Sequence, residues 1–143
     1  MMILGGAIVG AACGLSEAGE IGKTLEKRVC EWVHLPKNRL PPIATATYHL
    51  EIRALKYNKQ YLLVMDYDAY FWDRHSPKKT HVSGRAVDTA TYPTSADVER
   101  QWKEGRDYLR FFNLDERGHA DPKAWFGFGQ ATMTDGDREY RCL

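Results

Sequence analysis

No CxxC pair occurs in this sequence, and its three cysteines, Cys13, Cys30 and Cys142, are odd in number and far apart. That excludes a zinc knuckle and argues against a disulfide framework. Free thiols in a reducing compartment, or in a membrane-associated complex, are expected in preference to secretion. No GxxxxGK[ST] loop is present to cradle phosphates, and the glycines from Gly5 to Gly10 do not follow a strand. Net charge is nearly absent: 20 Lys and Arg stand against 19 Asp and Glu, a balance of +1. The whole-chain charge therefore makes no case for nucleic acid or an anionic surface. Low-complexity tracts and internal repeats are lacking. No residue set spells a reaction signature, and no cofactor is expected.

What is present folds. Hydrophobic residues make up 43% and aromatic residues 12% of the 143 positions, enough for one domain with a modest core. The opening stretch from Met1 to Leu15 carries no charged side chain, and its glycines fall at Gly6, Gly10 and Gly14. No Lys or Arg precedes Lys23, so the basic start of a cleaved signal is missing. Gly10-Ala11-Ala12-Cys13 has some look of a lipoprotein cleavage site, but a larger aliphatic residue normally stands where Gly10 does. A removed signal and a lipid on Cys13 are therefore not expected. The uncharged run ends at Ser16 and Glu17, short of the ~20 apolar residues that a membrane span needs.

From Ala18 onward, Ile21, Gly22, Leu25, Val29, Trp32 and Val33 recur at helical spacing, with Glu20, Lys23, Glu26, Lys27, Arg28 and Glu31 on the other side. The pattern predicts one helix from Met2 to His34, roughly 50 Å long. Pro36 stops it, and Pro41-Pro42 marks a linker. Gly6, Gly10 and Gly14, with Ala7 and Ala11 beside them, form a stripe without bulk, a glycine zipper, along which a second helix can approach closely. Such a helix would dock against other protein subunits, in part within membrane lipid, or serve as this domain's own core helix. The expected division is 1–35 for the helix, 36–43 for the Pro-rich linker and 44–143 for a small domain.

In the body, Ala44 to Ala54 alternates apolar and polar as a half-buried strand does. Tyr57 to Gln60 reads as a turn. Tyr61 to Trp72 reads as a second, antiparallel strand, apolar on both faces for much of its length and so covered on both. His81 to Val87 makes a third strand weakened by Gly84. Thr94 or Ser95 caps a helix through Val98, Trp102, Leu109 and Phe112 that ends near Asn113. Trp125-Phe126-Gly127-Phe128-Gly129 reads as a short extended segment and Asp135-Gly136-Asp137 as a turn. The expected fold class is α+β: the long helix, then a small antiparallel sheet with one packed helix.

The densest polar constellation is Asp66, Asp68, Asp73, His75 and His81. Asp66 and Asp68 are two apart on a strand, so their carboxylates share a face. With His75 and His81 they could hold a divalent metal that activates water. The bland alternative is a solvent face paired across the strands with Arg53 or Lys56. Cys30 has His34 four residues on, the spacing of a helical dyad. Arg74, Lys78, Lys79 and Arg85 lie near Tyr70 and Trp72 as a stacking platform would. The neighbouring aspartates would repel a phosphate backbone, so no nucleic-acid partner is expected. The function expected is a non-enzymatic accessory subunit of a larger, membrane-associated assembly, held by its N-terminal helix. The alternatives are a metal-dependent hydrolase using Asp66, Asp68 and His81, or an inhibitor that binds a host protein through the acidic hairpin.

Overall fold

A computed structural model of the protein describes residues 20–32, 43–73, 79–136 and 138–143. These form a closed barrel of eight strands in sequence order, every neighbouring pair antiparallel. The strands are β1 (Glu20–Trp32), β2 (Ile43–Tyr57), β3 (Gln60–Asp73), β4 (Lys79–Tyr92), β5 (Arg110–Leu114), β6 (Ala120–Phe128), β7 (Thr132–Asp135) and β8 (Arg138–Cys142). One helix, α1 (Ser95–Gly105), and a 3-10 turn (Arg106–Tyr108) connect β4 to β5.

The expected α+β architecture is overturned. Glu20–Trp32, placed above in a helical segment 1–35, is a strand of the barrel, paired with β2 and β8. The glycine stripe of Gly6, Gly10 and Gly14, with Ala7 and Ala11, lies outside the described residues, as does nearly all of the expected linker 36–43. Among the described residues no helix is long and apolar enough to cross a membrane. The misreading of β1 has a physical cause. Its register shifts between Ile21 and Thr24 and again between Thr24 and Glu26, which breaks the period of two. At the first shift Gly22 lies so close to β2 that a Cβ there would collide with the Ala54 carbonyl oxygen. Beyond the shifts the strand turns Arg28 and Cys30 inward, at 5% and 0% exposure. A charge facing the core made the apolar positions look helical.

β2 and β3 follow the expected alternation. Ala46, Tyr48, Leu50, Ile52 and Ala54 are buried inside, opposite Leu63, Met65, Tyr67 and Ala69. Asn58 and Lys59, both at positive φ (51° and 68°), make the two-residue turn between them, the primed hairpin geometry that matches the twist of the strands. β3 is covered on both faces over its first half, while from Asp66 onward its outer face meets solvent. Outward-facing Leu62 and Val64 are buried with Leu55 and Val87 in a second apolar cluster. Thr94 caps α1, its hydroxyl accepting from the Asp97 N–H at 3.1 Å. The helix ends at Gly105 rather than near Asn113, and Leu109 and Phe111 instead bring β5 into the core.

Two tiers of rings fill the barrel. Tyr48 meets Tyr67, Phe71, Phe126 and Tyr140 at centroid distances of 5.1–5.9 Å. Under α1, Phe128 meets Trp102 and Phe111, each at 5.4 Å, edge to face, a favoured arrangement for aromatic pairs. Arg28 reaches into this second tier. Its guanidinium lies 5.6 Å from the Trp102 and Phe128 ring centroids and donates to the Gly129 carbonyl at 3.0 Å. It also pairs with Glu26, which in turn accepts the Trp102 indole N–H at 3.0 Å. The helix is thus tied onto the barrel end through a buried charge paired with Glu26 and bonded to the Gly129 and Thr132 carbonyls.

Cys30 and Cys142 face each other across β1 and β8 and form a disulfide. This corrects the expectation of free thiols at these two positions; Cys13 lies outside the described residues. It also removes Cys30 as the nucleophile of a Cys30–His34 dyad.

Asp88 is mostly buried beside Tyr92, whose hydroxyl donates to its Oδ2 at 2.8 Å. Burial, opposed by that bond, raises its pKa. A raised folded pKa means that stability is full below the unfolded value and is lost as pH climbs through the folded one. Asp88→Asn is therefore expected to melt higher than the parent at pH 7. The gap should close as pH falls below ~4, where the unfolded carboxyl is itself protonated. Melting temperatures of both proteins across pH 3–8 check this, and a gap that widens toward acid would contradict it.

Candidate functional site

The residues singled out for chemistry lie on the outer face of β2, β3 and β4. Odd positions of β2 and β4 and even positions of β3 point outward there, so the registers stack them in rows. His49, Asp68 and Ser83 form one row, and Glu51, Asp66 and Arg85 the next. Asp66 and Asp68 share a face, as their spacing predicted. The strands fix that much; the neighbours decide what the carboxylates can do.

Asp66 accepts two bonds from Arg85, Nε to Oδ1 at 2.5 Å and a terminal nitrogen to Oδ2 at 3.0 Å. Arg53 Nε lies 3.7 Å from Oδ2 and a second Arg53 nitrogen donates to Glu51 at 2.7 Å. A bidentate guanidinium saturates a carboxylate in plane. Among the described residues no group of three or more His, Cys, Asp or Glu is placed to hold a metal ion. His75 lies outside the described residues, and of Asp73 only its place at the end of β3 is described.

Asp68, His81 and Ser83 stand together on the surface. Asp68 Oδ1 is 2.9 Å from His81 Nε2 and accepts from Ser83 Oγ at 2.6 Å. These three residue types invite comparison with a nucleophilic triad. The geometry does not match one. A triad uses one imidazole nitrogen for the carboxylate and the other for the hydroxyl. Here Nε2 faces both, with Ser83 Oγ at 3.3 Å, and the serine proton is already directed at Asp68. The hydrogen bonds from Ser83 and then His81 hold the Asp68 carboxyl below its usual pKa. Those from Arg53 and then Thr24 do the same for Glu51. Both contributions are present above the ordinary carboxylate range and are lost as pH falls through the folded values.

Beside the ladder is a ring cluster. The His81 imidazole stacks on Tyr70 at 4.7 Å and His49 meets the same ring edge-on at 5.6 Å. The Lys79 ammonium lies 5.1 Å from the Tyr70 centroid and 4.6 Å from that of Trp72. An open groove of about 520 Å³ crosses this face, lined by Lys27, His49, Glu51, Arg53, Asp66 and Asp68 among others. It is zwitterionic, with carboxylates and cations interleaved.

A second depression, about 690 Å³, opens where β4 parts from β5. Tyr67 reaches it from inside the barrel and donates to Asn113 Oδ1 at 2.8 Å. Gly84 permits this, because a Cβ there would overlap the Tyr67 ring and hydroxyl. Sequence reasoning missed this cleft, since it depends on β5 being short and on which strand lies beside β4. It also missed the Glu26–Arg28–Trp102 network, for which alternating polarity offers no cue. Gly84 was the one visible signal, read above only as a weakness in a strand.

No protein-family model matches the chain, and no curated protein or solved structure matches it.

Proposed function

We propose that the protein is a non-enzymatic binding subunit of a larger assembly, with the barrel as a rigid scaffold and its outer β2–β4 face turned toward a protein partner. The observation that carries this reading is the packing of the lumen. Tyr140, Phe111, Ile52, Leu63, Met65 and Met133 are all fully buried inside it. Side chains occupy the space in which a barrel of eight strands could otherwise hold a small molecule. The polar groups with chemical potential sit outside, already joined in cross-strand pairs. Such a face suits electrostatic recognition of another protein. An apolar interior under a charged exterior is also the reverse of the pattern of a membrane-spanning barrel. The Cys30–Cys142 bond supports residence in an oxidising compartment, where disulfides persist.

In a native extract the chain is expected to migrate well above its own 16.4 kDa. Asp68→Lys, a reversal on a half-exposed side chain, is expected to weaken the association about tenfold while leaving the melting temperature near that of the parent. Migration at the monomer mass in both extract and purified form would overturn the reading.

A further inference from the structure

We propose that the outer face of β5, β6 and β7 is a docking site for an acidic segment of a protein partner, whose Asp or Glu carboxylate is received by the Arg110 guanidinium. The site lies on the other side of the barrel from β2 and β3. It does not depend on the reading of the β2–β4 face given above.

The run Trp125-Phe126-Gly127-Phe128-Gly129 builds it. Alternation turns Phe126 and Phe128 into the core and leaves Trp125, Gly127 and Gly129 on the outside. Two successive outward positions thus carry no side chain, which leaves a floor of bare backbone. Gly127 also makes room for the indole. A Cβ there would lie 3.3 Å from Trp125 Cζ3 and 3.0 Å from Thr134 Oγ1. A groove of about 420 Å³ follows this floor, with Tyr108 and Arg110 toward one side and Thr132 and Thr134 toward the other.

Arg110 is set to receive an anion. It stands opposite Gly127 in register and reaches diagonally over Trp125, its guanidinium carbon 4.4 Å from the ring centroid. Stacking on an indole orients the planar fork, so less side-chain freedom is lost when a ligand binds. The N–H groups at the edge of the fork stay available. Arg110 is exposed, and among the described residues it makes no ion pair and no side-chain hydrogen bond. The arginines of the β2–β4 face differ, since Arg53 and Arg85 are both joined to carboxylates. Of the residues lining the groove Asp107 alone is acidic, and Arg106 engages it at 3.1 Å. Those two charges offset each other, so Arg110 sets the sign of the groove.

The lining also selects the kind of occupant. Trp, Tyr and Arg are the side chains that dominate the energetics of protein–protein contacts. Tyr108, at 89% exposure, is the most exposed large apolar side chain among the described residues. A carboxylate meets a guanidinium in plane through two bonds. An apolar side chain beside that carboxylate would cover the Tyr108 ring. A small free anion would use Arg110 and leave Tyr108 and the glycine floor bare. The groove is open, whereas sites for small molecules bury most of the ligand.

The test uses the full chain, labelled with heavy nitrogen, and two capped tetrapeptides, Gly-Glu-Phe-Gly and Gly-Gln-Phe-Gly. The Arg110 Nε–H and Trp125 indole N–H signals are followed by NMR. With the Glu peptide both are expected to shift, with an affinity about tenfold above that of the Gln peptide. Arg110→Lys keeps the charge and loses the planar fork. It is expected to weaken the Glu peptide about tenfold, read at the Trp125 indole, while the melting temperature stays near that of the parent because Arg110 is exposed. Equal affinity for the two peptides overturns the proposal, as does the absence of any shift at the highest soluble concentration. Acetate that shifts both signals as strongly as the Glu peptide also overturns it, by making the groove a site for a small anion. So does self-association of the chain alone that shifts the same signals, which would make the occupant a second copy. The β2–β4 reading stands or falls separately, on native migration and the Asp68→Lys variant.

Discussion

Replacing Cys30 and Cys142 together by alanine is expected to lower the unfolding free energy by about 4 kcal/mol. The size follows from where the bond sits. Among the described residues β1 and β8 close the barrel through three register pairs: Cys30–Cys142, Glu31–Arg141 and Trp32–Tyr140. By contrast β2 and β3 are in register along nearly their whole length. The disulfide spans 112 residues of sequence. Cross-linking a loop of that order removes much of the freedom of the unfolded chain, worth ~4–5 kcal/mol in the chain-entropy account. Both cysteines are buried, at 0% and 8% exposure, so the variant also leaves a small void between the strands. Urea unfolding of parent and double variant gives the difference, and a thiol reductant should bring the unfolded parent toward the variant. A loss below ~1 kcal/mol would show that packing alone closes the barrel and that the bond constrains the unfolded chain little.

Arg28→Met is the second large effect, expected to cost about 3 kcal/mol. The Arg28 side chain is 4% exposed and its partner Glu26 is 32% exposed. With the guanidinium gone, the Glu26 carboxylate keeps the Trp102 indole N–H but loses its counter-charge, and the carbonyls of Gly129 and Thr132 lose a donor. Breaking one side of a buried pair costs several kcal/mol, because a charge or polar group is stranded away from water. Glu26 retains partial access to solvent, so the lower end of that range applies. The double variant Glu26→Gln with Arg28→Met is expected to recover most of the loss, since the stranded charge is removed as well. A double variant as unstable as the single would show that the lost packing of the Arg28 stem over Trp102 and Phe128 dominates over charge.

The legibility of the sequence varied with how each strand is buried. β2 and β3 were readable because one face meets rings and aliphatics while the other meets solvent or a second apolar cluster, and alternation reports that difference directly. The Asn58-Lys59 turn and the Thr94 cap were readable because both are local backbone requirements. β1 was not, because two register shifts changed its phase and an inward Arg28 contradicted polarity. β5 was not, because Leu109 and Phe112 lie three apart and so fit a continuation of α1 as well as a new strand. The Asp66–Asp68 pair was correctly placed on one face, but its role was decided by Arg85, 19 residues away in sequence and directly opposite in register.

By itself, then, the sequence determined the hairpin of β2 and β3, the start of α1, and the common face of Asp66 and Asp68. Each follows from interactions within a few residues, or from a period that one strand displays alone. Closure of the barrel, the Cys30–Cys142 bond and the Glu26–Arg28 pair were decided only by the tertiary structure. These depend on which strands become neighbours, and no local pattern encodes a contact between Val29 and Leu143.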